Sequence, residues 1–153
     1  MLSGLAASVI SLNVLADEAN STKPQPTNWI ATLQNVSIAY VYAPAAQGDS
    51  ILYVFLRNDT SNSINHLRLG RDSGFKITHL EEDTPKPLRP EEPDISGPTI
   101  TISPQEVKSY RILLRQGDVS LLKGKQVTIS TRIYDPATQK ASTISSSPAV
   151  IIQ

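Results

Sequence analysis

Two histidines, one serine-bearing turn and a run of carboxylates are the residues of this chain whose chemistry could be put to work. His66 and His79 are its only imidazoles, and an imidazole serves as a base near neutrality or as a metal ligand. They sit in two apolar stretches, Ile64 to Leu69 and Phe75 to Leu80, joined by Gly70-Arg71-Asp72-Ser73-Gly74, a spacing that predicts a hairpin. Whether they meet in that hairpin depends on register, because a slip of one residue moves a side chain to the other face. Two imidazoles alone make a weak metal site, so exposed, independent strand histidines are expected.

Ser73 would need a histidine and a carboxylate beside it to act as a hydrolase nucleophile. The same residues are ordinary turn residues, and neither a Gly-x-Ser-x-Gly elbow nor a glycine-rich phosphate loop accompanies them. Glu81, Glu82, Asp83, Glu91, Glu92 and Asp94 lack the spaced Asp/Asn pattern and fixed glycine of a calcium loop, so they are read as a solvated acidic loop. The sequence therefore assigns no catalytic, cofactor-binding or metal residue and predicts a protein that is not an enzyme.

Sulfur chemistry is excluded more firmly. The 153 residues include no Cys, and the single Met is Met1. No disulfide framework, thiolate metal site, thiol nucleophile or internal thioether ligand is possible. Fourteen Lys and Arg balance fourteen Asp and Glu. That neutrality lacks the basic excess of a nucleic-acid binder, so none is expected as partner.

The elements that must position these residues follow from the apolar pattern. MLSGLAASVISLNVLA (1–16) has a short apolar run ending in small residues, which predicts a secretory signal cut before Asp17, and it is too short and interrupted for a membrane span. Residues 17–28 read as a flexible lead-in and 29–153 as one domain. From Val36 to Tyr42 the even positions are all large, one buried face of a strand, and ILYVFLRN (51–58) is apolar on both faces, as a central strand is.

Residues 81–98 hold five prolines and six acids, which predicts a connection lying outside the sheets, since proline removes ladder donors. Period two returns at 99–102, at Val107 to Arg115 and at Gln126 to Tyr134, with one helical turn near 118–125 and one or two closing strands split near Pro148. Of the eight aromatics, Trp29, Phe55, Phe75, Tyr40, Tyr42, Tyr53, Tyr110 and Tyr134, most lie on faces that read as core. The whole is an all-β, antiparallel β-sandwich, immunoglobulin-like or cupredoxin-like, of seven to nine strands.

The stretches APAAQGDSILYVFLRNDTSNSINHLRL, KITHLEED and ITISPQEVKSYRILLRQGDVSLLKGKQVTI together resemble the periplasmic Cu(I) chaperone family that delivers copper to cytochrome oxidase. That resemblance implies a cupredoxin-like fold behind a signal peptide. The family's metal motif runs His, Met, His, Met. At its spacing this chain has His79, Pro90, Ile112 and Leu114, so one ligand of four is kept and no thioether, the donor soft Cu(I) selects. The reading that results is a non-catalytic secreted or periplasmic binding or assembly module with a protein partner. The alternative is a divergent copper-chaperone-like protein with a degenerate metal site.

Overall fold

A computed structural model describes residues 24–32, 34–68, 71–90 and 99–153. The signal segment 1–16, most of the lead-in and the acidic residues Glu91, Glu92 and Asp94 lie outside the described residues. No helix among the described residues is long and apolar enough to cross a membrane.

Two antiparallel sheets face each other. The first holds β1 (Ile30–Ala31), β2 (Val36–Pro44), β3 (Ser50–Asn58) and β8 (Val107–Leu114), in the order β1-β2-β3-β8. The stretch apolar on both faces is indeed central: β3 lies between β2 and β8, and Leu52, Val54 and Leu56 face the core while Tyr53 and Phe55 face outward into a second apolar cluster. The second sheet is organised by β9 (Gln126–Asp135). Its Val127, Ile129, Thr131 and Ile133 are all buried, as their period of two requires.

The expected hairpin of the two histidine-bearing stretches does not form. β4 (Ile64–Leu67) and β5 (Lys76–Glu81) do not pair with each other; both pair with β9. Arg132 and Ser130 each have β10 (Lys140–Ser145) on one side and, on the other, Leu67 of β4 or Lys76 of β5 respectively. β4 and β5 therefore lie end to end along one edge of β9, as a single strand interrupted by an excursion. From Leu67, opposite Arg132, to Lys76, opposite Ser130, the chain advances nine residues while β9 advances two. Asp72 and Ser73 in that excursion adopt positive φ, which turns the chain back into its original direction instead of reversing it.

The outer row is split in the same way. β6 (Thr84–Pro87) pairs with β5, and β7 (Ile100–Ile102) pairs with β4. Pro85 and Pro87 thus stand inside a strand, contrary to the expectation that the whole proline-rich segment lies outside the sheets. The strand is an edge, where a missing N–H can face away from the ladder, and a tight turn at Glu82 and Asp83, both with positive φ, forms it. β10 and β11 (Ala149–Val150) divide the other edge of β9. Eleven strand segments are described where seven to nine were expected, but they occupy four rows in each sheet.

The one α-helix among the described residues, α1 (Gln116–Leu122), starts slightly earlier than the sequence suggested. Asp49 accepts from the Gln116 N–H at 3.0 Å and Asp118 from the Arg115 N–H at 2.9 Å, so its free amides are met by carboxylates. Leu122 then drops fully buried into the core.

Asn58, fully buried at the end of β3, ties the turn region to the second sheet. Its amide donates to Asn62 O at 2.7 Å and to Ile102 O at 2.9 Å, while its oxygen accepts from the Thr60 N–H and hydroxyl. Asn58→Ala leaves Ile102 O unmet in a buried site and the Thr60 N–H without its acceptor, and is expected to cost about 2–3 kcal/mol. Urea denaturation checks it; a loss below about 1 kcal/mol contradicts this role.

Candidate interaction face

Both histidines point inward, because Ile133 and Val127, their partners on β9, share its buried face. His66 is 0% and His79 3% exposed, which overturns the expectation of exposed strand histidines. They share a face, yet pair with β9 residues six positions apart, too far along a strand for one ion to bridge.

His66 forms part of a directed chain of hydrogen bonds between the sheets. Thr131 spends its hydroxyl proton on Gly74 O at 2.8 Å, so its oxygen accepts from His66 Nε2–H, also at 2.8 Å. Nδ1 is then the acceptor for the Tyr110 hydroxyl at 2.8 Å; this tautomer is assigned from the network. Phe75 and Tyr110 pack on the ring, with centroids 5.1 and 4.9 Å away. Burial, aided by the nearby Arg68 charge, lowers the His66 imidazolium to about 4, and burial pushes the Tyr110 phenol up to about 12.

Ser73 meets neither histidine among the described residues. Its Oγ lies 3.4 Å from Arg68 Nη2, and both ring nitrogens of His66 are engaged elsewhere. Asp72 is held by Arg89 at 3.1 Å. His79 keeps a buried Nδ1 without a hydrogen-bond partner among the described residues. Its pKa is lowered by burial and by Lys125 and Lys86, with Glu81 opposing. Ile112 and Leu114, at the resemblance's ligand positions, are core residues of β8. No group of three or more His, Cys, Asp or Glu able to hold a metal occurs among the described residues.

Surface chemistry gathers instead on the outer face of the first sheet, which no sequence motif marked. Ala39, Tyr53 and Phe55 form an outward apolar cluster against which Trp29, Val41, Ala43 and Ile51 pack. Trp29 meets Phe55 edge-on at 6.5 Å and carries the Arg57 guanidinium over its ring at 4.5 Å. Arg57 is oriented by Asp59 at 2.6 Å, and Asp59 also accepts from Ser37. Burial alone would raise the Asp59 carboxyl, but these bonds outweigh it and hold it below its ordinary value. Beside this group lies a cleft of about 350 Å³ lined by Gln25, Pro26, Trp29, Phe55, Arg57, Val107 and Ser109. Val107 and Leu113 are 45% and 42% exposed.

β8 closes this face as an edge strand. The Asn58 N–H donates to Glu106 O, so even-numbered residues turn their backbone toward β3. Leu113 O, by contrast, accepts from Arg89 Nη2 at 3.2 Å on the other side. The odd residues Val107, Ser109 and Arg111 therefore aim N–H and C=O away from the sheet, and no second strand pairs with β8 among the described residues. Arg89 also donates to Asp118 at 2.7 Å, so one guanidinium binds excursion, helix and strand end together. A fixed, planar fork with three engaged nitrogens is what such a junction needs.

No protein-family model matches the chain, and no curated protein matches it. Similar solved structures include Northeast Structural Genomics Consortium target SoR45, with TM-score 0.46, 13% identity and coverage of 79% of this chain and 89% of that one. Another is the GAE domain of GGA2p from Saccharomyces cerevisiae, at TM-score 0.40 and 11% identity over 80% and 96% of the two chains. The yeast GGA1 GAE domain gives TM-score 0.42 and 13% identity over 78% and 96%.

The buried imidazole generates a pH dependence. A folded pKa of about 4 against an ordinary 6.5 means that the unfolded chain takes up the proton first. Stability is full above pH 6.5 and falls as pH drops toward 4, by on the order of 3 kcal/mol from His66. His79 adds to the loss with the same sign. Urea midpoints at pH 7 and pH 4.5 should converge in His66→Gln relative to the unsubstituted protein; an equal pH loss in both removes His66 as the cause.

Proposed function

We propose that this protein is a non-catalytic binding or assembly module, secreted or periplasmic, that holds a protein partner on the outer face of its first sheet and along β8. The observation carrying the reading is the conjunction of a strand edge that no second strand pairs among the described residues, a lined cleft and exposed Val107 and Leu113 on one face. Exposed apolar residues beside free backbone donors and acceptors are what a docking strand or loop uses. The histidines contribute no competing site on that face, since His66 has both nitrogens engaged inside the core and His79 is also buried. Export accords with the apolar leader, and the absence of cysteine is neutral to it, because export permits disulfides without requiring them.

A photo-crosslinking amino acid placed at Val107 in living cells is expected to yield an adduct with one protein identifiable by mass spectrometry. Placed at exposed Thr143 on the opposite sheet, it should yield none. Equal adducts at both positions, or none at Val107, count against the reading.

The second reading is a divergent relative of the periplasmic Cu(I) chaperones, and it draws on His79 Nδ1, which has no hydrogen-bond partner among the described residues. Lys86 and Lys125 already act on that imidazole, and a cation would add to their charge, so binding should be weak. Titration with Cu(I) and Cu(II) should give no His79-dependent binding at micromolar metal. Micromolar or tighter binding that His79→Ala abolishes would reverse the order of the two readings.

A further inference from the structure

The edge of β8 is short, and both its ends are closed. At one end Arg89 occupies Leu113 O and, through Asp72, brings the excursion of the second sheet against the strand. At the other, the Ser103–Glu106 turn folds back, with the Glu106 N–H on Ser103 O at 3.0 Å. Between them Val107, Ser109 and Arg111 each offer one N–H and one C=O outward, a ladder for a segment of about five residues.

The side chains beside that ladder have a charge pattern. Arg57, Lys108, Arg115 and Arg89 each hold a carboxylate, from Asp59, Glu106, Asp49, and Asp72 with Asp118. Arg111, exposed in the middle of the edge, has no ion-pair partner among the described residues. A lone cation on an open edge repels basic strands and accepts acidic ones. Four residues away, Val107 stands at the rim of the cleft, opposite Arg57 and with Trp29 and Phe55 also in its lining.

We infer that β8 takes up one extended protein segment as an added antiparallel strand, with Asp or Glu opposite Arg111 and a large apolar residue four positions later, opposite Val107 and entering the cleft. The inference rests on the binding-module reading and names the chemistry of the partner. Main-chain bonds to Val107, Ser109 and Arg111 supply affinity, while the carboxylate and the apolar side chain set register and selectivity. The residue between them stands opposite Ser109, whose partner on β3 is Phe55.

The probe is the capped peptide Thr-Glu-Val-Thr-Val-Phe-Thr, compared with its Glu-to-Lys counterpart, each titrated into the purified protein and followed by backbone amide shifts. The acidic peptide should bind about tenfold more tightly, as expected for exchanging a favourable exposed pair for a like-charged one. Shifts should centre on residues 107–111. Arg111→Glu, an exposed substitution whose fold is checked by its melting curve, should invert the preference. A preference unchanged in that variant, shifts centred away from β8, or no binding of either peptide at millimolar concentration each overturns the inference. A concentration-dependent dimer that is lost on adding acidic side chains at Val107 assigns the edge to a second copy and overturns it too. If the peptides fail while the Val107 crosslink in cells succeeds, the binding-module reading stands and only the partner's chemistry is wrong; if both fail, both are withdrawn.

Discussion

The backbone of β9 is the constraint on which the rest of the second sheet depends. Its ten residues present donors and acceptors on two sides, and a buried strand cannot leave those unmet. Four separate pieces of chain satisfy them: β10 and β11 on one side, β4 and β5 on the other. Where β10 gives way to β11, Ser146 completes the side by bonding Ile129 through both its backbone and its hydroxyl. Thr131 on the same strand then accepts from His66, whose other nitrogen accepts from Tyr110 of the facing sheet, so the strand that organises one sheet also registers it against the other.

Much of the first sheet was legible from residue pattern alone. The alternation in Val36 to Tyr42 and in Tyr110, Ile112 and Leu114, and the two-sided run of β3, state which side chains are inside, because period two has one physical meaning in a strand. The partners of β4 and β5 were not legible. A turn rich in Gly, Asp and Ser between two short apolar runs is as good a hairpin signal as the chain contains, and nothing local to residues 64–80 refers to residues 126–134. The histidines were misjudged for the same reason: once the hairpin was assumed, their faces were left to register. Proline was read correctly as barring an interior strand at Thr84–Pro87, but an edge position satisfies the same rule.

The candidate interaction face was invisible for a different reason. Its parts are scattered from Gln25 to Leu113, and no one of them is unusual. Only the sheet order β1-β2-β3-β8 makes Val107, Ser109 and Arg111 an edge, and only the return of the chain past Trp29 gives that edge a cleft. The absence of sulfur, which bears on metal chemistry, says nothing about such a surface. The two kinds of reasoning are complementary: composition removes reactions, and topology creates surfaces.

The interrupted strand formed by β4 and β5 also carries a consequence for the order in which the fold can assemble as the chain emerges from the ribosome. The first sheet needs nothing beyond Leu114, and its strands β2 and β3 are neighbours in sequence. β4 and β5, however, have their principal partner some fifty to seventy residues later, in β9. Until that segment has been made, the inward sides of Ile64, Phe75 and Ile77 have no organised sheet to complete, and closing so long a loop is entropically unfavourable. The native core thus becomes available only once β9 has been made, and until then the chain can hold at most half a sandwich.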